Sequence, residues 1–243
     1  MTSFADLPVG SVDVLPSIAA AAWPDRAALR TTSSTVTFAE LDRAVSRLAF
    51  GLRQRLGGDG LTVAVAALPG THFPTAFYAI VRSGNVAAPV DPDMSAAAFA
   101  DFLAVTRARA VILGRAMYER VRPVLPATLE LVLLLDAPAA PGVLTCAELS
   151  TGGGLPVEPR DRDEREPAAI LSGLLTHQAL KSRAAAVKLT ADAVVLTTTP
   201  TYDPITLSAA LLAGATQVLS RHEDHPTYHP ATHVLTETGL KAA

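Results

Sequence analysis

The sequence has little of what several classes of protein require. A single cysteine, Cys146, stands among 243 residues, which excludes a disulfide within the chain. No apolar run reaches the 18 residues of a membrane-spanning helix, and no basic and then apolar leader opens the sequence. We therefore expect no membrane partner and a cytoplasmic location.

Positive charge is also scarce. The chain has 20 Lys and Arg against 23 Asp and Glu, a net charge of −3, and so lacks the basic surface that a nucleic-acid backbone attracts. We expect no nucleic-acid partner. Lysine is rarer still, because only Lys181, Lys188 and Lys241 occur. Any mechanism that needs a lysine has these three candidates.

The residues that are abundant predict a globular α/β protein. With 49% hydrophobic and 18% charged residues, the chain can bury a core. Apolar runs of strand length alternate with stretches of helical period, a pattern typical of βαβ units around a parallel sheet. One helix begins at a capping box of Thr37 and Glu40 and places Leu41, Val45 and Leu48 on one face. The predicted fold is α/β, with layered, mostly parallel sheets and flanking helices.

The alternating pattern lapses between residues 150 and 167. This stretch contains three consecutive glycines at 152–154 and a run of charged residues at 161–166. The glycines lack the strand, the helix and the Lys-Ser or Lys-Thr of a phosphate loop, so the composition favours a linker. We predict a first α/β subdomain at 1–149, a linker at 150–167 and an incomplete second subdomain at 168–243.

The order of the segments resembles the N-terminal part of the adenylate-forming superfamily, which includes acyl- and aryl-CoA ligases and the adenylation domains of peptide synthetases. The resemblance covers about residues 12–235. Residues 36–41, Val-Thr-Phe-Ala-Glu-Leu, look like its first core motif. Residues 68–92 look like the second, with a helix that ends at Gly84 and a strand that ends in Pro-Val-Asp-Pro. The resemblance implies a truncated version of that family's fold.

The phosphate loop of the family has no counterpart. Residues 166–173 resemble the strand that leads into this loop, and residues 175–180 resemble the helix after it. The resemblance implies a loop between them that is rich in Thr, Ser and Gly, ends in Pro-Lys-Gly and holds the ATP phosphates. Here Ser172-Gly173 is followed directly by two leucines, and Lys241 matches no catalytic lysine of the family. We expect no autonomous ATP-dependent ligase activity and no cofactor.

Residues 192–219 resemble the fourth core motif of peptide-synthetase adenylation domains. The resemblance implies that Asp203 contacts the α-amino group of a substrate, and we take Tyr202 beside it as a second candidate. The alternative is structural, because an aspartate before Pro204 is an ordinary N-cap with proline at the first helical position.

Two histidines are candidate catalytic residues. His72 and His177 stand near the starts of predicted helices that follow strands, where open α/β sheets place their ligands. A histidine there can act as a general base near neutral pH. The alternative is a residue at a helix start that bonds to a neighbouring carbonyl group.

A metal site is a weaker interpretation of the histidines near the C-terminus. Four of them lie within twelve residues: His222, His225, His229 and His233. Two prolines, Pro226 and Pro230, break any helix that would align them, so we predict a polar loop and no metal. We also take Cys146 as a packed residue, because no helix N-terminus precedes it and no base is paired with it.

Three functions remain open. The first is a homologue repurposed in natural-product or antibiotic biosynthesis that acts on a small or carrier-bound acyl, aryl or aminoacyl intermediate without ATP, for example as a cyclase or transferase. The second is a noncatalytic pseudoenzyme that serves as a scaffold for a pathway enzyme. The third is one subunit of a split acid ligase. A truncated fold leaves apolar surface uncovered, so we also expect a homodimer, a higher oligomer or a pathway protein as partner.

Overall fold

A computed structural model describes residues 7–57, 60–68, 70–135, 142–151, 157–159, 162–197, 202–219, 231–236 and 239–242. The helices are α1 Val14–Ala22, α2 Phe38–Leu56, α3 His72–Arg82, α4 Ala96–Thr106, α5 Arg115–Val121, α6 Cys146–Ser150, α7 His177–Ala186 and α8 Pro204–Ala213. The strands are β1 Ala27–Arg30, β2 Thr35–Thr37, β3 Thr62–Ala66, β4 Val86–Val90, β5 Ala110–Leu113, β6 Leu131–Leu134, β7 Leu144–Thr145, β8 Pro167–Ile170, β9 Leu174–Thr176, β10 Val194–Thr197, β11 Thr216–Leu219, β12 His233–Thr236 and β13 Gly239–Ala242.

These elements form two sheets with helices packed on them. The seven-stranded sheet has the order β7-β6-β5-β3-β4-β8-β9, and every neighbouring pair is parallel except β8 with β9. The six-stranded sheet has the order β13-β12-β10-β11-β1-β2, with antiparallel pairs only at its two ends. The predicted fold class, layered and mostly parallel sheets with flanking helices, is confirmed.

The sheets differ from the division that the sequence predicted at residues 150–167. Strands β1 and β2, from the predicted first subdomain, complete the six-stranded sheet, where Leu29 lies opposite Gln217. Strands β8 and β9, which start at the last residue of the predicted linker, complete the seven-stranded sheet. Strand partners that lie so far apart in the sequence cannot be predicted from local patterns. The segments on either side of the predicted linker are therefore joined in both sheets.

Helix α2 shows how the local pattern produces the packing. Thr37 accepts a hydrogen bond from the Glu40 amide, and the Glu40 carboxylate accepts one from the Thr37 amide, which confirms the capping box. The apolar face of the helix is buried, including Leu41, Val45 and Leu48. This face packs against α1, α3 and α6, so the predicted helix lies in the centre of the core.

A buried arginine connects the first three helices. The Arg82 guanidinium on α3 donates to the Asp13 carbonyl at 2.7 Å and to the Ser46 hydroxyl at 2.7 Å, and lies 2.9 Å from the Asp42 carboxylate. The Asp13 carboxylate lies 3.6 Å from Arg82. Burial raises the pKa of Asp13, while its bond with Ser11 and the charge of Arg82 act in the opposite direction. Loss of Arg82 or of its carboxylate partners would therefore destabilise the fold, because a buried charge left without a partner is strongly destabilising.

Candidate functional site

The position of the expected phosphate loop is a short hairpin turn. Strands β8 and β9 pair in antiparallel fashion with Ile170 opposite Leu174, so only residues 171–173 connect them. The Leu171 amide donates to the Gly173 carbonyl across this turn at 3.0 Å. One of the few backbone N–H groups of the turn is therefore already bonded inside the protein. The turn thus offers fewer N–H groups than the loop that the resemblance implies around the ATP phosphates.

His177 follows this hairpin as the first residue of α7, and its ring is fully buried. Its Nδ1 atom accepts a hydrogen bond of 3.2 Å from the Val12 amide. Burial lowers the pKa of His177 to about 4, with further lowering by the nearby cations Arg162 and Lys181. The ring is therefore neutral near pH 7 and has no access to a substrate in solution. The sequence predicted a carbonyl partner as the structural alternative, whereas the partner is a backbone N–H.

Lys181 is a buried residue whose contacts the sequence analysis did not predict. It lies one turn after His177 on α7 and is 1% exposed. Its Nζ atom donates to the Gly10 carbonyl at 2.6 Å, to the Glu164 carboxylate at 2.7 Å and to the Pro8 carbonyl. The hydrogen bond from Lys181 lowers the pKa of Glu164. The only available signal was the spacing of four residues from His177 in a chain with three lysines.

Asp203 acts as the N-cap of α8. One carboxylate oxygen accepts from the Ile205 amide at 3.0 Å, and the other accepts from the Thr206 amide at 3.0 Å and the Thr206 hydroxyl at 2.6 Å. Pro204 occupies the first helical position. This is the capping alternative that the sequence left open. A contact between Asp203 and a substrate stays a prediction.

Tyr202 is 4% exposed and bonded inside the protein. Its hydroxyl donates to the Gln217 side chain on β11, and its amide donates to the Ala67 carbonyl at 3.0 Å, just after β3. Its ring lies 5.3 Å from the ring of Phe73 on α3. These contacts bring the N-terminus of α8, the N-terminus of α3 and the end of β3 together.

His72 is the exposed member of the four predicted site residues. It is the first residue of α3 and stands next to Phe73, so it shares one edge of the molecule with Tyr202 and Asp203. That edge is the carboxyl end of β3, where a parallel sheet places ligands. The structure thus brings three of the four candidates to one region and places the ring of the fourth, His177, in the interior.

The residues considered for metal binding do not form a site in the described ranges. His222, His225 and His229 lie outside the described residues, and the ring of His233 on β12 lies 2.8 Å from the Thr232 hydroxyl. No group of three metal-ligating side chains occurs in the described part of the chain.

The prediction that no helix N-terminus adjoins Cys146 was wrong. Cys146 is the first residue of α6, which a capping box of Thr145 and Glu148 begins. The helix has five residues, and the short segment Cys-Ala-Glu-Leu-Ser left too little periodicity for the sequence to predict it. The side chain of Cys146 is 8% exposed, in agreement with a packed residue.

None of the helices in the described ranges combines the length and the hydropathy needed to span a bilayer.

Two mostly parallel sheets with flanking helices are the fold that the resemblance to the adenylate-forming superfamily implied. A family model described as AMP-binding enzyme matches residues 17–240, and the chain belongs to this family.

Relatives in sequence match only parts of the chain. A 4-coumarate–CoA ligase-like protein of Oryza sativa subsp. japonica is 34% identical over 110 residues, which are 45% of this chain and 19% of that protein. Surfactin synthase subunit 1 of Bacillus subtilis is 32% identical over 74 residues, which are 30% of this chain and 2% of that protein. The matched segments are thus small parts of both relatives.

Similarity to solved structures covers most of the chain. MbtA of Mycobacterium smegmatis in its apo form has a TM-score of 0.75 at 27% identity, over 87% of this chain and 44% of that one. A long-chain-fatty-acid-CoA ligase of Archaeoglobus fulgidus has a TM-score of 0.77 at 19% identity, over 88% of this chain and 48% of that one. The chain spans about half the length of these proteins. At 19% identity, the similarity to the Archaeoglobus fulgidus protein concerns the fold alone.

Proposed function

We propose that this member of the AMP-binding family does not activate a carboxylate with ATP by itself and serves as a noncatalytic subunit for an enzyme of acyl, aryl or aminoacyl metabolism. The short turn at residues 171–173 carries this proposal. It is internal to the matched region, so residues before or after the chain do not restore it.

Adenylation requires groups that hold and neutralise the phosphates of ATP. Preorganised N–H groups and cations supply the largest share of such stabilisation in enzymes. The turn offers the hydroxyl of Ser172, and the Leu171 amide is bonded to Gly173. The nearest lysine along the chain, Lys181, is buried against two carbonyl groups and Glu164. Neither the turn nor this lysine replaces the missing loop.

The predicted site residues support a noncatalytic role in a second way. His177 is buried with its pKa lowered to about 4, Asp203 caps α8, and Tyr202 bonds to Gln217. Residues in these positions stabilise the fold. The class of metabolism is proposed from the names of the relatives, a 4-coumarate–CoA ligase-like protein and a surfactin synthase subunit, and from the resemblance to acyl- and aryl-CoA ligases and adenylation domains.

One observation favours a second candidate, an ATP-independent enzyme such as a cyclase or transferase. His72 is exposed at the carboxyl end of β3, in the region where Tyr202 and Asp203 also lie. A histidine in that position can transfer a proton to or from a bound acyl intermediate. This candidate needs His72, whereas the noncatalytic subunit does not.

ATP–pyrophosphate exchange tests the proposal. The purified chain is incubated with Mg²⁺, ATP, labelled pyrophosphate and a panel of aliphatic, aryl and amino acids. Because the phosphate-binding groups are missing, we expect exchange no higher than in a reaction without protein. Exchange by the chain alone would refute the proposal. Exchange that appears only with a protein encoded nearby would instead establish the split ligase.

A substitution at His72 separates the noncatalytic subunit from the ATP-independent enzyme. In the organism that encodes the chain, we expect deletion of the gene to reduce the product of the pathway and His72→Ala to leave it unchanged. A loss of product with His72→Ala, at unchanged amounts of folded protein, would favour the enzyme.

A further inference from the structure

Residues 8–12 form a segment, here called the N-terminal strap, that side chains from a distant part of the chain hold in place. The ammonium group of Lys181 donates to the carbonyls of Pro8 and Gly10. The Glu164 carboxylate accepts from the Gly10 amide at 2.9 Å. At the end of the strap, His177 Nδ1 accepts from the Val12 amide. Three side chains more than 150 residues away along the chain thus bind one short segment.

The bond between His177 and Val12 depends on the protonation state of the imidazole ring. A neutral ring accepts at one nitrogen and donates at the other, whereas an imidazolium donates at both. Since Val12 offers an N–H group to Nδ1, the proton must lie on Nε2. A proton added at Nδ1 would place two N–H donors against each other. Protonation of the ring therefore weakens its contact with the strap.

The charges around His177 also disfavour an imidazolium. The charges of Arg162 and Lys181 lower the pKa of the ring, and the charge of Glu164 raises it. Glu164 is paired with Lys181 at 2.7 Å, so the opposite effects of these two charges on the ring partly cancel. The ring has no contact with solvent, and Nε2 has no hydrogen-bond partner among the described residues. A charged ring would have to leave this environment or gain water.

We infer that His177 is a pH-sensitive latch whose protonation releases the N-terminal strap from α7. The latch follows from the acceptor role of Nδ1, the two neighbouring cations and the burial of the ring. Release of the strap removes its contacts with Lys181 and His177 and opens access to both side chains. The inference concerns only this chain and does not depend on the proposed function.

The pH dependence of strap release follows from the difference between the pKa of His177 in the bound state and in the free state. His177 has a pKa of about 4 with the strap bound, and an ordinary value near 6.5 when the ring is free. The bound state therefore keeps its full stability above the free pKa and loses it as the pH falls from 6.5 towards 4. For one proton, the equilibrium constant for release rises by up to about tenfold per pH unit in that range. The lowered pKa of Glu164 keeps its carboxylate ionised at pH 5.

Hydrogen exchange at individual amides measures the release. The Val12 and Gly10 amides donate to His177 and Glu164, so their protection reports whether the strap is bound. In the unmodified protein, protection factors corrected for the intrinsic exchange rate should be level near pH 7 and fall roughly tenfold or more by pH 5. In His177→Gln, where the amide oxygen can accept from Val12 but cannot titrate, they should stay level.

A control variant and the constant presence of Asp13 make the result specific to His177. His72→Gln changes an exposed histidine and should retain the fall in protection. Asp13 adjoins the strap and has a raised pKa, but it is present in every variant, so its titration cancels in the comparison. An unchanged protection of Val12 from pH 7 to pH 5, or an equal fall in His177→Gln, would overturn the inference.

A titration of the unmodified protein covers the case in which His177→Gln fails to fold. The ring carbon signals of His177 are followed by NMR over the same pH range. The latch requires that the ring becomes protonated with the same midpoint at which the Val12 amide loses protection. Protonation of the ring without loss of protection would overturn the inference equally.

Discussion

At the scale of single residues, the buried cations Arg82 and Lys181 are matched to specific partners. Arg82 lies between Asp13 and Asp42, and Lys181 lies between two carbonyl groups and Glu164. Such residues are costly to bury unless they are paired. Two of the residues that the sequence marked as functional candidates, His177 and Asp203, belong to the same category of paired side chains.

Asp203 provides a test of the capping role at this scale. Asp203→Ala removes the acceptors for the amides of Ile205 and Thr206, and we expect a loss of about 1–2 kcal/mol in the free energy of unfolding. Asp203→Ser should recover most of this loss, since a hydroxyl can also cap. Asp101→Ala changes an exposed aspartate within α4 and should leave stability within about 0.5 kcal/mol. Urea unfolding followed by circular dichroism provides the three values. Equal stability of Asp203→Ala and the unmodified protein would contradict the capping role.

At the scale of elements, close packing explains a glycine inside a helix. Gly51 lies on α2 where this helix meets α6, and a Cβ atom there would lie 2.5 Å from the Leu149 carbonyl oxygen and 2.5 Å from its side chain. Glycine in a helix is ordinarily less stable than alanine by about 1 kcal/mol. The contact with α6 thus outweighs the helix propensity at this position.

Gly51→Ala is therefore expected to destabilise the protein, although alanine is the better helix former. We expect a loss of about 2 kcal/mol in the free energy of unfolding, because the backbone of Leu149 must move. Gly70→Ala is the matched control, since a Cβ atom there meets no atom within 4 Å. Chemical denaturation of both variants checks the difference. A Gly51→Ala protein as stable as the control would show that α6 moves away without cost.

At the scale of the whole molecule, segments on both sides of residues 150–167 share one core. The largest cluster of buried apolar residues extends from Val12 to Leu219, and each sheet takes strands from both segments. The single tryptophan, Trp23, lies at such a junction. Its ring packs near Phe38, and a Cβ atom on Gly214 would lie 2.7 Å from it.

The shared core predicts that the two segments unfold together. Fluorescence of Trp23 reports the contact with Gly214, and far-ultraviolet circular dichroism reports the helices of the whole chain. In urea, the two signals should give one transition with the same midpoint, as a cooperative unit requires. Two separate midpoints would show that the segments unfold independently, as the division predicted from the sequence implied.

Several features followed from the sequence because they depend on neighbouring residues. The capping box at Thr37 and the buried face of α2 are set by contacts within a few turns. The short connection after β8 could also be predicted from the sequence, since Ser172-Gly173 is followed directly by two leucines. These features were enough to predict the fold class and the family.

The candidate site could be predicted only in part. His72, Tyr202 and Asp203 do lie at one edge of the molecule, but the sequence had no means to show that Tyr202 is buried against Phe73. Lys181 was named as one of three lysines, but its contacts could not be predicted, because its acceptors on the N-terminal strap are about 170 residues away. Hydrogen bonds at such separations leave no periodic signal.

The sequence by itself determined the local elements, the α/β class, the resemblance to the adenylate-forming superfamily and the missing phosphate loop, because each depends on residues close together along the chain. Only the tertiary structure decided which strands share a sheet, that His177 is buried and neutral, and that Lys181 and Glu164 hold the N-terminal strap. Burial and long-range pairing set the charge and the accessibility of these side chains. Those properties decide which residues can perform chemistry and which ones maintain the fold.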